Sequence, residues 1–151
     1  MARDHRRLRV YHEAHALTIS IYKETRDFPR DEWFGIRAQI RRAAVSIASN
    51  IVEGNARRST PEYVNFLNIA RGFAAEVSYL VRLAIELGYV SAAAGQRLER
   101  ACDQLIPQLE ALIQRMELLM KTERERRTSE PKATRDQRPE TKDYRVPPGR
   151  A

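Results

Sequence analysis

A stripe of five polar side chains repeats at helical spacing in the middle of the chain. Its members follow one another at steps of four, four, three and four: Arg42, Ser46, Asn50, Glu53 and Arg57. On an α-helix these steps place the stripe on one narrow face, opposite the isoleucines of the same segment. Three interpretations stay open. The first is a hydrogen-bonded seam, in which Glu53 pairs with Arg57 or Arg42 while Asn50 and Ser46 bond to a neighbouring helix. The second is a polar pocket or ligand-facing surface, and the third is a solvated face.

Arginines gather around the same segment and could bind phosphate groups. Between positions 30 and 58, six arginines oppose three acidic residues. Arg37 and Arg41 are four residues apart, share a helix face and repel each other unless an anion lies near. Guanidinium groups bind phosphate in a bidentate manner, so nucleic-acid binding is one interpretation and ordinary solvation is the other. The residues predicted to bind nucleic acid are Arg30, Arg37, Arg41, Arg57 and Arg58.

Other catalytic or metal-binding patterns are missing from the sequence. His12 and His15 are three residues apart, but no carboxylate or cysteine pattern joins them, so we predict two exposed histidines and no metal site. Cys102 is the only cysteine and is expected to pack inside a helix. We therefore predict no catalytic residue and no cofactor. The aromatic residues near the arginines lack the spacing of an RNA-recognition motif: Tyr11, Tyr22, Trp33 and Phe34.

Helices must position these side chains, because apolar residues recur at steps of three and four and strand-like alternation is absent. The predicted helices cover Leu8–Asp27, Ile36–Arg57, the segment from the Ser59 cap to Leu87, and Ser91–Thr122. Ser59 and Glu62 form a capping-box pattern around Pro61, and Gly88 stands where a left-handed glycine ends a helix. Pro107 is expected to kink the fourth helix, and a true break there is the alternative.

Four long helices with short connections predict an all-α fold, an antiparallel up-down four-helix bundle formed by residues 1–122. The apolar stripes on the second and third helices are wider than one bundle seam needs, which hints at self-association. From Glu123 the apolar pattern stops. We predict that residues 123–151 form a disordered, basic tail, because they cannot bury enough surface to offset the entropy of ordering.

Composition restricts the class of protein without selecting a partner. The 151 residues are 42% hydrophobic and 31% charged, which fits a folded domain with a polar appendage and excludes collagen and disulfide scaffolds. The net charge is +7, and residues 121–151 hold 10 basic and 6 acidic side chains. Such a balance allows nucleic acid, acidic protein or anionic lipid as partners. The single cysteine and the lack of a long apolar run predict a cytoplasmic protein without a membrane span.

The segment from Ile40 to Ser59, IRRAAVSIASNIVEGNARRS, resembles the signature of bacterial four-helix bundle proteins, also called 23S rRNA intervening-sequence proteins. The resemblance covers about residues 5–120 and includes Phe28–Pro29 and the segment Glu62–Glu76. The polar signature of the family falls here on Arg42, Ser46, Asn50, Glu53 and Gly54.

The resemblance implies a homopentameric ring of four-helix bundles without enzymatic activity. The family is similar to the accessory proteins of diversity-generating retroelements, which pair with a reverse transcriptase and bind nucleic acid through basic surface. We therefore expect a non-catalytic oligomer that associates with the backbone of RNA or DNA, as an accessory to a nucleic-acid-processing partner. The alternative is a protein-protein interaction scaffold with no nucleic-acid role.

Overall fold

The computed structural model describes residues 4–129, and every regular element in them is helical. The four long helices are α1 (Arg9–Glu24), α2 (Ile36–Asn55), α3 (Thr60–Glu86) and α4 (Ala92–Ser129). Short 3₁₀ turns at His5–Arg7 and Arg30–Glu32 precede α1 and α2. The prediction of an all-α fold with four helices is confirmed. Residues 130–151 of the predicted tail lie outside the described residues.

The helices pack as an antiparallel bundle in which sequence neighbours are spatial neighbours. α2 packs on α1 and α3, and α4 packs on α3 and α1, while within residues 4–129 the diagonal pairs make no close backbone approach. Cross-helix contacts show the antiparallel order of α1 and α4: Arg97 donates to Glu24 at 3.2 Å and Gln108 to Glu13 at 3.1 Å. Short connections produce this order because each helix must return along the previous one.

One hydrophobic core fills the space between the helices. Its largest fully buried aliphatic side chains are Leu17, Ile21, Ile40, Ile47, Ile51, Leu67, Val77, Val81, Leu105 and Leu109. Each such side chain contributes about 1.5–3 kcal/mol relative to an exposed one. On α2 the face formed by Ile40, Ile47 and Ile51 is fully buried. The apolar stripe of this helix also includes Val45, which is 43% exposed, and Ala48, which is only half-buried.

The helix ends of α3 form as the sequence predicts. Ser59 caps α3: its hydroxyl accepts the Glu62 N–H at 3.4 Å and donates to the Glu62 carboxylate. Gly88 follows α3 with a φ of 72°, in the left-handed region that favours glycine. The N–H of Tyr89 then donates to the Ala84 carbonyl at 2.9 Å, which satisfies one of the last carbonyls of the helix.

The predicted end of the first helix at Asp27 is three residues too late, because α1 ends at Glu24. The Thr25 hydroxyl donates to the Ile21 carbonyl at 2.7 Å and accepts the Arg41 Nε at 2.8 Å. The bond from Arg41 connects the end of α1 to α2.

The predicted end of the fourth helix at Thr122 is also wrong, because α4 continues to Ser129. Pro107 lies inside this helix, and the alternative of a break there is wrong as well. The apolar periodicity stops at Glu123. Glutamate and arginine are strong helix formers, however, so the helix continues beyond the residues that pack against the core. At ~1.5 Å per residue, α4 is about 57 Å long and α3 about 40 Å, so the last turns of α4 extend beyond the bundle.

Candidate functional site

The structure separates the five predicted nucleic-acid-binding arginines into two groups. Arg30, Arg37 and Arg41 lie where α1 ends and α2 begins, whereas Arg57 and Arg58 follow the end of α2. The chain between Arg37 and Arg57 is almost entirely helical, so the two groups are about 30 Å apart at ~1.5 Å per residue. A single chain therefore carries two basic regions rather than one continuous surface.

The first region is an open groove of about 420 Å³ between the end of α1 and the start of α2. We refer to it as the basic aromatic groove, and its lining consists of Tyr22, Trp33, Phe34, Arg37, Ala38, Arg41 and Arg42. The antiparallel α1–α2 hairpin brings these residues together, because Tyr22 lies in the last turns of α1 and the arginines in the first turns of α2. This described lining contains three guanidinium groups and no carboxylate.

Arg41 is fixed in the groove by neutral partners. Its Nε donates to the Thr25 hydroxyl at 2.8 Å and its Nη2 to the Tyr22 carbonyl at 3.1 Å. Its guanidinium carbon lies 4.6 Å from the centre of the Tyr22 ring. Burial lowers the pKa of Arg41, and the nearby charge of Arg37 lowers it further. The guanidinium keeps its proton even so, and Arg41 forms no ion pair within residues 4–129.

Trp33 forms the floor for two further arginines. The guanidinium carbons of Arg37 and Arg30 lie 5.0 and 5.8 Å from its ring centre, within the range of cation–π attraction. The indole Nε1 donates to the Phe28 carbonyl at 3.3 Å, which fixes the orientation of the ring. The Nε of Arg37 is buried without a hydrogen-bond partner in the described part of the chain. Trp33 is still 45% exposed and Phe34 is 98% exposed.

Glu32, the acidic residue nearest to the groove in the sequence, forms hydrogen bonds outside the groove. Glu32 lies just before Trp33, but one of its carboxylate oxygens accepts the Ile36 N–H at 3.1 Å and supports the start of α2. The other oxygen accepts the Tyr89 hydroxyl at 3.2 Å. This hydroxyl reaches Glu32 from the far end of α3. Within the described lining, the arginines of the groove have no carboxylate beside them.

The polar stripe follows the outer edge of α2 and does not form one pocket. Within the helix, the Asn50 amide donates to the Ser46 carbonyl at 2.7 Å, and Arg57 pairs with Glu53. Arg42 is exposed and belongs to the basic aromatic groove. Across residues 4–129, Asn50 and Ser46 make no hydrogen bond to a neighbouring helix.

Arg57 and Gly54, at the end of the stripe, connect α2 to α3. The Arg57 guanidinium lies 4.6 Å from the centre of the Phe66 ring. Gly54 is buried, and a Cβ at this position would lie 2.6 Å from the Phe66 Cβ and 3.2 Å from the Tyr63 Cδ2. A glycine is therefore needed for the close approach of the two helices. Arg58 is exposed and lines a second cavity, which it shares with the end of α4.

The remaining residues considered for chemistry have structural contacts. His12 Nε2 lies 2.6 Å from the Arg6 carbonyl, and His15 stacks on Tyr11. Cys102 is fully buried, and burial raises the pKa of its thiol to about 12, which keeps it protonated. Within the described residues, no group of three or more histidine, cysteine, aspartate or glutamate side chains could hold a metal ion. Nor does any helix there have the length and apolar character to cross a membrane.

Sequence reasoning missed the aromatic half of the groove. Tyr22, Trp33 and Phe34 are close to arginines in the sequence, but their spacing matches no linear motif. The available signal is topological: a helix hairpin must bring the last turn of one helix beside the first turn of the next. Tyr22 of α1, Trp33 and Phe34 of the connection, and the arginines of α2 then face one groove.

Comparisons with known proteins give a family and a fold. A crystal structure from Bacteroides thetaiotaomicron, described as a protein of unknown function from the S23 ribosomal protein family, matches with a TM-score of 0.64. It is 24% identical and the match covers 70% of this chain and 95% of that one, so it supports the bundle fold alone. No curated protein matches the chain. Residues 6–111 match the family described as 23S rRNA-intervening sequence protein, and the chain belongs to this family.

Proposed function

We propose that this protein binds nucleic acid with unpaired bases through the basic aromatic groove and catalyses no reaction. One observation supports the proposal above others: three guanidinium groups and three aromatic rings line one groove that contains no carboxylate among its described residues. Arginines neutralise backbone phosphates, and exposed aromatic rings stack on bases that are not already paired in a duplex. The family description, 23S rRNA-intervening sequence protein, names no ligand, so single strands of RNA and of DNA are both tested.

The groove favours binding that is independent of sequence. Phosphate contacts position a nucleic acid but do not distinguish its bases, and aromatic stacking accepts every base. The groove presents no pair of amide or carboxylate side chains toward a base edge, since its polar lining consists of arginines and a tyrosine. The expected ligand is therefore a single-stranded or looped segment of RNA or DNA.

Trp33 provides a direct test because it is the only tryptophan in the chain. We expect its fluorescence to be quenched when an oligouridine strand is titrated into the full-length protein at low salt. A duplex DNA of the same length should quench it less, because its bases are already stacked on one another. Raising the salt concentration should weaken binding, since phosphate contacts release counter-ions.

The double variant R37Q/R41Q tests whether the groove carries the binding. Loss of two phosphate contacts should lower the salt slope of single-strand binding by about 1.4, at ~0.7 per contact. The control R100Q/R115Q removes the same charge from α4, outside the groove. Equal losses in both variants would show that overall charge, not the groove, determines binding. No change in Trp33 fluorescence or in ligand anisotropy at low salt would contradict the proposal.

A protein-interaction scaffold is the second candidate, and the exposed apolar surface favours it. Phe34 is almost fully exposed, and Val45 on α2 and Ile19 on α1 are each nearly half exposed. Such residues suit a protein partner, such as the reverse transcriptase that the resemblance suggests, or further copies of this chain. From the resemblance we also propose that the protein is a cytoplasmic homopentamer. Native mass spectrometry tests the oligomeric state, because a pentamer has five times the 17.5 kDa mass of the chain. Nucleic-acid binding that is absent in the assembled protein would favour the scaffold.

A further inference from the structure

The second basic region surrounds a cavity of about 470 Å³ at the opposite end of the bundle. We refer to it as the arginine cavity, and its lining consists of Arg58, Ser59, Thr60, Pro61, Met120, Glu123, Arg124 and Arg127. One wall is the connection from α2 to α3, and the other is the extension of α4. Its volume falls within the range of about 300–1,000 Å³ that is typical of small-ligand sites.

The inner face of α4 changes character where it reaches this cavity. Within the bundle this face is apolar, and its last core-packed residue is the half-buried Met120. Continuing at helical steps of four and three, the same side of the helix next presents Arg124 and Arg127. The extension therefore presents positive charge to the α2–α3 connection at positions that would be apolar if this segment only prolonged the core.

The arginines of the cavity are not neutralised by ion pairs. Arg58, Arg124 and Arg127 are exposed and form no ion pair within the part of the chain that the structure describes. Glu123 is the single carboxylate in the described lining, so the lining carries a net charge of +2. The N-terminus of α3, a helix of 27 residues, also points its partial positive charge toward this space.

We propose that the arginine cavity binds a phosphate group that carries at least two negative charges. Guanidinium groups on two facing elements can each donate two hydrogen bonds to such a group. The Ser59 hydroxyl also lines this space, but it is already bonded to Glu62, so the arginines supply the binding. This chemistry has two sources: a free oligophosphate, including the triphosphate of a nucleotide, and the terminal phosphate of a nucleic-acid strand. The site is separate from the basic aromatic groove and does not depend on the function proposed there.

Calorimetric titration of the full-length protein with inorganic tripolyphosphate tests the site. The double variant R124Q/R127Q should bind at least about tenfold more weakly, because hydrogen bonds to charged groups contribute about 1.5–3 kcal/mol each. The matched control R100Q/R126Q removes two charges from the same helix at exposed positions that do not line the cavity, and its affinity should change less than about threefold. Circular dichroism should show that both variants retain the helical content of the original chain.

Further ligands identify the source of the phosphate. Tighter binding of ATP or tripolyphosphate than of an oligonucleotide with a 5′-phosphate supports a free oligophosphate. The reverse order, with a loss of affinity when the 5′-phosphate is replaced by a hydroxyl, supports a strand end. In the R37Q/R41Q background, the further change R124Q/R127Q should still weaken tripolyphosphate binding at least about tenfold, so the two sites can fail independently. No binding of any of these ligands, or an equal loss in the R100Q/R126Q control, would overturn the proposal.

Discussion

The two ends of the bundle both expose arginines, but they hold them in different ways. At the basic aromatic groove, Arg37 and Arg41 lie over aromatic rings, and Arg41 also donates to neutral oxygens of α1. At the arginine cavity, Arg124 and Arg127 stand on a helical extension with no core beneath it. The first arrangement is rigid and contains flat apolar surface, whereas the second is solvated and almost purely electrostatic.

The arginines on the sides of the bundle provide the reference for this comparison. Arg9 pairs with Glu13, Arg97 with Glu24, and Arg82 with Glu99. These exposed pairs contribute little to stability, typically 0–1 kcal/mol, but they leave no net charge for a ligand. Arg37 and Arg41 in the groove, and Arg58, Arg124 and Arg127 in the cavity, form no such pair within residues 4–129. The binding that we propose at both ends therefore depends on arginines without a paired carboxylate, not on the number of arginines.

A Gly54→Ala variant should have the largest effect and tests whether one end can be disturbed alone. The new Cβ would lie 2.6 Å from the Phe66 Cβ, an atom that cannot move without its backbone. We expect the free energy of unfolding in urea to fall by about 1–3 kcal/mol. Gly72→Ala on α3 is the control, since nothing lies within 4 Å of a Cβ at that position, and alanine there should raise the free energy of unfolding by about 0.5–1 kcal/mol.

The Gly54→Ala variant should leave the groove unchanged at the other end of α2. In conditions where the variant is folded, Trp33 emission and its quenching by oligouridine should match those of the original chain. A shifted emission maximum would show that the two ends are coupled through the α2–α3 contact.

A Trp33→Ala variant sharpens the comparison between stacking and charge. Stacking of one base on an aromatic side chain contributes about 1–3 kcal/mol, so single-stranded RNA should bind about tenfold more weakly. Fluorescence anisotropy of a labelled strand measures this, because the variant has no tryptophan. Tripolyphosphate should bind the variant as before. An unchanged affinity for RNA would mean that the groove binds through its arginines alone, without base stacking, as we propose for the arginine cavity.

Local patterns were sufficient to predict most of the fold. The step-of-three-and-four periodicity identified four helices, and the capping box at Ser59 and the glycine at Gly88 fixed both ends of α3. The end of α4 was missed because the periodicity reports a packed face, whereas a helix rich in glutamate and arginine persists without one. The end of α1 was placed three residues too late because the only strong stop signal that the sequence offers is Pro29, five residues beyond Glu24.

The candidate sites were less predictable because they depend on contacts between helices. Arg37 and Arg41 share a face by spacing alone, but their proximity to Trp33 and Tyr22 requires the α1–α2 hairpin. Arg58 was grouped with them by sequence distance, yet a helix of 20 residues separates the two ends. Its neighbours Arg124 and Arg127 were assigned to a disordered tail, so the second site could not be anticipated.

A Ser59→Ala variant should have the smallest effect, and it separates the fold of the cavity wall from its charge. Loss of the cap on α3 should lower the free energy of unfolding by about 1 kcal/mol at neutral pH. The hydrogen bond from Ser59 lowers the pKa of Glu62, so this interaction stabilises the fold above the unfolded-state pKa and is lost as pH falls through the folded one. Urea denaturation should therefore show a smaller difference between the two proteins in acid than at neutral pH. A constant difference would mean that only the backbone bond to the Glu62 N–H contributes. Because no arginine is removed, tripolyphosphate should still bind the variant, which would show that the arginines of the cavity attract the phosphate and the cap only positions the wall.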